Sequence, residues 1–254
     1  MRLILSLAAV VVVAPIARGE EYPSISRKPG STARGVLINR SLGTSPCDPP
    51  DPSRPTLVVS HGLSLSNRRT KAGIADAVAE TVAKRGGCFN VLEWDWNGDT
   101  FHSPIPAKNH LYAAEQGRKL ACALRGAGIV RCQTTLVGHS LGCVVAASAA
   151  RELAADGGGP VARLTLLEPL VNMHKLIFED LGAAASAGCV ENYWSPGVSG
   201  FGGPAPYPGV VNVRVEGPNR MFGLLVMRNS NHVYVGRMYA GEVGRTMPAP
   251  GCGH

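Results

Sequence analysis

Thr134-Thr-Leu-Val-Gly-His-Ser-Leu-Gly-Cys143, running on through Val144 and Val145 into an alanine-rich segment, is the stretch on which the fold turns. It begins as a short β-branched and apolar run, passes through Gly-x-Ser-x-Gly around Ser140, and ends in residues that favour a helix. Leu136 and Val137 suit a strand buried on both faces. Gly138 frees the approach to a tight turn, and Gly142 lets the next helix pass close to a neighbouring strand. Residues 144–153 are rich in alanine and hold no proline, so they predict a helix. In a chain with 31 glycines the pentapeptide alone is weak evidence. Strand, turn and helix together make it a nucleophile elbow, the strained turn that lifts a serine hydroxyl above a sheet.

Around this stretch, strand and helix patterns alternate. Upstream, residues 34–39, 56–60 and 89–94 read as strands. Residues 71–84 carry a helical pattern with Ile74, Val78 and Val82 on one face, and 109–125 read as a second helix. Downstream, residues 163–167 form a strand ending at Glu168-Pro169, 210–215 another, and 224–227 the last. Residues 182–209 are loaded with Gly and Pro and hold Tyr193, Trp194, Phe201 and Tyr207, so they read as a long surface loop or a flap. Alternating strands and helices predict a mostly parallel central sheet covered on both faces, the α/β-hydrolase fold, in one domain over residues 20–254.

Residues 1–19 are set apart. Arg2 precedes an apolar core, and Ala17-Arg18-Gly19 forms a small-x-small cleavage site, the pattern of a secretory signal peptide. The expected location is therefore secreted or periplasmic. Of the formal charge of +7, Arg2 and Arg18 supply two, and the other arginines are scattered. Nothing forms the concentrated basic patch that nucleic-acid binding needs. Seven cysteines in an oxidising compartment predict disulfides. Cys122–Cys132 would close a helix end onto the next strand, Cys47–Cys88 and Cys189–Cys252 follow by elimination, and Cys143 is left as a buried free thiol. No spacing matches a zinc or haem site, and no cofactor is expected.

A serine hydroxyl needs a histidine to take its proton and a carboxylate to orient that histidine, in the chain order Ser, acid, His. Beyond Ser140, His232 lies in a loop immediately after the last candidate strand, where the base of such a fold belongs. His174 follows closely on Glu168, and His254 is terminal. Two carboxylates compete for the acid: Glu168 at the end of one strand and Glu216 at the end of the next. Asp95 and Asp99 precede the serine, and chain order counts against both. One oxyanion donor is expected from the amide of Leu141, the other from the loop His61-Gly62-Leu63.

The segments Thr56-Leu-Val-Val-Ser-His-Gly62, Glu93-Trp-Asp-Trp96, Gly138-His-Ser-Leu-Gly142, Leu166-Leu-Glu-Pro169 and Asn231-His232 resemble the secreted pancreatic-type lipases in order and approximate spacing. That resemblance implies Glu168 as the acid and the amide of Leu63 as the second oxyanion donor. The sequence departs from the family pattern in carrying glutamate instead of aspartate and in lacking a cysteine before Asn231. The expected function is a secreted lipase or esterase using Ser140, His232 and Glu168 on an ester or lipid substrate, with peripheral contact at lipid interfaces. The alternatives are a non-catalytic binding protein on a hydrolase scaffold and an acyltransferase or thioesterase.

Overall fold

The computed structural model describes residues 35–41, 43–63, 73–84, 89–96, 106–196, 202–217 and 231–246, all within one compact unit spanning 33–254. Seven strands form one sheet: β1 (Val36–Asn39), β2 (Thr56–Ser60), β3 (Asn90–Asp95), β4 (Thr134–His139), β5 (Arg163–Leu167), β6 (Val190–Trp194) and β7 (Val210–Arg214). Their spatial order is β1-β3-β2-β4-β5-β6-β7. β1 pairs antiparallel with β3, and every other neighbour is parallel. Among the described residues the α-helices are α1 (Ile74–Lys84), α2 (Pro106–Gly126), α3 (Gly142–Ala155), the short α4 (Ala183–Ser186) and α5 (Asn231–Thr246). This is the α/β-hydrolase architecture.

Side chains on a strand alternate between its two faces, and here both faces are apolar. Leu136 of β4 and Val58 of β2 join the core beneath α2 and α3, whereas Val137, Leu57 and Val59 join the one beneath α1 and α5. Strands covered on both sides need continuous apolar runs, which explains why β2 and β4 stood out in the sequence. On α3, residues 142–150 are all buried, and alanines let that helix lie close against the sheet and α2.

The chain moves from β2 out to β3 and then returns to β4 on the other side of β2. In open sheets of this type, sites form outside the carboxyl ends of strands where the winding reverses. His61, Ser140, Glu168 and Ser195 are the residues that directly follow β2, β4, β5 and β6.

Three expectations are corrected. The segment read as a long loop or flap, 182–209, contains α4 and strand β6. β6 escaped notice because Val190-Glu-Asn-Tyr-Trp194 carries polar residues whose partners are distant in sequence: Arg163 and Thr165 donate to Glu191, and the Asn192 amide donates to Gly203 and Asn212. His232 does not sit in a loop but in the first turn of α5. The cysteine pairings also fail: Cys47 and Cys122 are exposed free thiols and Cys189 is a half-buried one. Cys122 is exposed on α2. Cys143 is buried and free, as expected, and Cys132 alone among the described cysteines does not hold a free thiol. The leader at 1–19, the strand at 224–227, Asp99 and His254 lie outside the described residues.

Candidate active site

Ser140 follows β4 with φ 55°, and the turn is locked by its own backbone. Its N–H donates to the carbonyl of Leu167 at 2.9 Å, and its carbonyl accepts from Cys143 at 3.0 Å as α3 starts. A β-carbon on Gly142 would lie 2.4 Å from the carbonyl oxygen of Ser60, which is why this helix can begin so near β2. Left-handed backbone at a non-glycine residue costs on the order of 1–3 kcal/mol and persists only where the surroundings enforce it.

Glu168 repeats the arrangement one strand over. It has φ 53°, and its N–H donates to the carbonyl of Tyr193 at 2.9 Å, continuing the ladder while the chain turns. Among the described residues, Ser140 and Glu168 are the two non-glycine positions with positive φ. The Glu168 side chain is fully buried. Its Oε1 accepts a short hydrogen bond from the backbone N–H of Ser195. Gly202 (φ +58°) closes over the carboxylate so tightly that a β-carbon there would sit 2.6 Å from both oxygens.

His232 brings its Nδ1 to 3.7 Å from Glu168 Oε2. That is too long for a hydrogen bond but within ion-pair reach, and such contacts commonly shorten once substrate is bound. The imidazole is buried, and desolvation lowers its pKa to about 4. Desolvation raises the Glu168 carboxyl to about 7, against the Ser195 N–H, which favours the charged form. A neutral imidazole at neutral pH is the state a proton acceptor needs.

The loop after β2 abuts the serine. A β-carbon on Gly62 would lie 2.7 Å from Ser140 Cβ and 3.3 Å from its Oγ, so the backbone leading into Leu63 runs beside the hydroxyl. Leu63 is 42% exposed, whereas Leu141 is buried at the start of α3. His61 holds this loop. Its Nδ1 bonds the Gly62 carbonyl at 2.8 Å, its Nε2 accepts the Trp96 N–H at 3.2 Å, and the Trp96 indole donates to its carbonyl at 3.0 Å. Those partners assign the proton to Nδ1, and Asp95 lies 3.6 Å from Nε2.

The structure thus brings Ser140, Glu168 and His232 to the carboxyl edge of the sheet, with the Gly62 loop alongside. Glu216 does not join them: its carboxylate is 73% exposed and pairs with Arg214 at 2.8 Å. His174 is buried edge-on against Phe178. Three residues around the site escaped the sequence reading. Ser195 acts through a backbone N–H and Gly202 through the space it leaves, and neither leaves a side-chain signal. His139 stood inside the elbow motif without a role. It bonds the backbone carbonyl of His232 at 2.9 Å.

No protein-family model matches this chain, and no curated protein matches its sequence. Solved structures with similar folds include an esterase from Thermogutta terrifontis, 14% identical with a TM-score of 0.44 over 85% of this chain and 90% of that one. Another is the RedJ thioesterase of the prodiginine pathway in Streptomyces coelicolor, 14% identical with a TM-score of 0.46 over 80% and 90%. A third is a predicted CIB-like hydrolase from Thermoplasma acidophilum, 15% identical with a TM-score of 0.45 over 84% and 100%. None of these comparisons supports the pancreatic-type lipase family that the motifs resemble. Likeness at this level does not reach substrate or reaction, which have to be argued from the site itself.

Proposed function

We propose that this protein is a serine hydrolase of carboxylic esters. Ser140 attacks the ester carbonyl, His232 takes the hydroxyl proton, and Glu168 orients the imidazole through Nδ1. The amides of Leu63 and Leu141 receive the oxyanion, a contribution worth roughly 3 kcal/mol per donor in the transition state. The protonated His232 then hands its proton to the leaving alcohol, and an acyl group remains on Ser140. Water, deprotonated by the same imidazole, attacks the acyl carbonyl and restores the serine.

One observation carries the reading. The two non-glycine residues with left-handed backbone, among those described, are the serine of the elbow and the buried glutamate beside His232. Strain of this kind, held at two positions that chemistry needs and packing does not, points to a working site. An ester or lipid surface is the proposed substrate class, and the leader at residues 1–19 makes export part of the proposal, with Glu20 as the mature N-terminus.

The test uses the purified protein, a serine-reactive phosphonate and a p-nitrophenyl ester series of increasing chain length. Adduct mass should map to Ser140, and Ser140→Ala should abolish both labelling and hydrolysis. An unlabelled Ser140, or hydrolysis that survives the substitution, would remove the esterase reading and leave a binding protein. Transfer of the acyl group to an added alcohol or thiol in preference to water would instead favour an acyltransferase.

A further inference from the structure

We propose that His139 is a positioning residue for the base: it donates from Nε2 to the backbone carbonyl of His232 and sets where α5 begins relative to the elbow. The role rests on the esterase reading above and assigns a task to a residue that reading leaves idle.

The contact is 2.9 Å from His139 Nε2 to the His232 carbonyl oxygen. A carbonyl only accepts, so Nε2 must carry the proton. The two rings also meet, with centroids 4.6 Å apart and planes at 39°. The second turn of α5 is pressed into this corner. A β-carbon on Gly236 would fall 2.4 Å from Ile74 Cδ1 and 3.7 Å from His139 Cδ2, so α1 and the His139 ring both press on the N-terminal part of the helix.

The consequence concerns register. Ser140 and His139 are consecutive, so one turn carries the nucleophile and grips the main chain of the base. A shift of β4 or of the elbow would move both together and preserve their separation. The rest of α5 packs along Val235, Tyr239 and Val243 against the sheet and α1. Desolvation and the neighbouring His232 ring lower the pKa of His139, so it stays a neutral donor and adds no second positive charge when His232 takes the serine proton.

The test compares His139→Phe, which keeps an aromatic ring and loses the donor, with His139→Gln, whose amide restores an N–H at similar reach. A misplacement of the base by about 1 Å costs on the order of a hundredfold in rate. His139→Phe should therefore lose about 10- to 100-fold in kcat with KM within about twofold, and His139→Gln should recover to within about fivefold of wild type. Equal losses in both variants, or none in either, would overturn the proposal.

A second arm does not depend on activity or on the Phe variant folding. Nitrogen-15 spectra of histidine-labelled wild-type protein near pH 7 should show His139 as the neutral Nε2–H tautomer. The Nδ1–H tautomer would refute the hydrogen bond outright. Hydrolysis that survives Ser140→Ala would sink the esterase reading, and the proposed role with it. The spectrum would then still report whether the hydrogen bond exists, so the two failures stay distinct.

Discussion

Replacing Glu168 by glutamine should make this protein more stable at alkaline pH and far less active. The side chain is fully buried, and burial raises its pKa from an ordinary 4.5 to about 7. A carboxyl that ionises that much later in the folded chain has its charged form disfavoured by roughly 3 kcal/mol. A raised folded-state pKa means that the native protein holds the proton more tightly than the unfolded chain. Its contribution is therefore fully present below pH 4.5, declines between pH 4.5 and 7, and is absent above 7. Glutamine does not titrate, and His232 titrates in both proteins and drops out of the difference to first order.

Urea unfolding of both proteins at pH 4, 5.5, 7 and 8.5, extrapolated linearly to water, reads the effect. The advantage of Glu168→Gln should be near zero at pH 4 and grow to about 3 kcal/mol at pH 8.5, with most of the gain between pH 4.5 and 7. Its kcat should meanwhile fall by roughly 10⁴-fold, the usual cost of an amide in the orienting position. A stability difference that is flat with pH would refute the argument. So would a wild type that gains on the variant as pH rises, because that would mean Glu168 and a protonated His232 stabilise each other as an ion pair.

Other outcomes follow from the same geometry. Gly202→Ala forces a side chain into left-handed backbone 2.6 Å from both carboxylate oxygens and should cost about 1–3 kcal/mol in thermal unfolding, with a loss in kcat larger than any change in KM. Gly62→Ala puts a methyl 2.7 Å from Ser140 Cβ and should slow phosphonate labelling and ester turnover by about 10²–10³-fold, as loss of an oxyanion donor does. The acid limb of kcat/KM against pH should descend in two steps bounded by about 4 for His232 and about 7 for Glu168, and the upper step should vanish in Glu168→Gln. A single step centred near 6.5 would contradict both shifts. Glu216→Ala should leave turnover unchanged and stability within about 0.5 kcal/mol, since its partner is a surface arginine.

What the sequence disclosed was whatever depends on local pattern. Thr56–Ser60 and Arg163–Leu167 emerge as strands with the expected bounds because their runs are apolar and end at turn residues. The elbow was legible for the same reason. β6 was not, because Glu191 and Asn192 look like loop residues until Arg163 and Asn212 stand opposite them, and those partners lie 28 and 20 residues away. The acid shows the same limit. Chain order left Glu168 and Glu216 level, and the family resemblance favoured Glu168. What separates them physically is long-range: Glu168 meets the backbone of Ser195 and the ring of His232, while Glu216 turns outward to Arg214. The cysteine pairings failed likewise, since the side of α2 on which Cys122 stands is fixed by packing and not by its distance from Cys132 along the chain.

The surroundings of Glu168 are costly by every structural measure, and this is the strongest argument about its role. An ordinary β5 could end on any residue with extended backbone, yet here it ends on a buried carboxyl in left-handed geometry with a glycine pressed against both oxygens. Strain and desolvation together oppose folding by several kcal/mol. A structural carboxylate would be expected to recover that through several good hydrogen bonds. Among the described contacts, Glu168 has one backbone donor on Oε1, while Oε2 is aimed at His232 across 3.7 Å. The under-satisfied oxygen is the one facing the imidazole. That arrangement is poor for stability and well suited to a group whose best interaction arrives only when His232 gains a proton, which is the moment the reaction requires it.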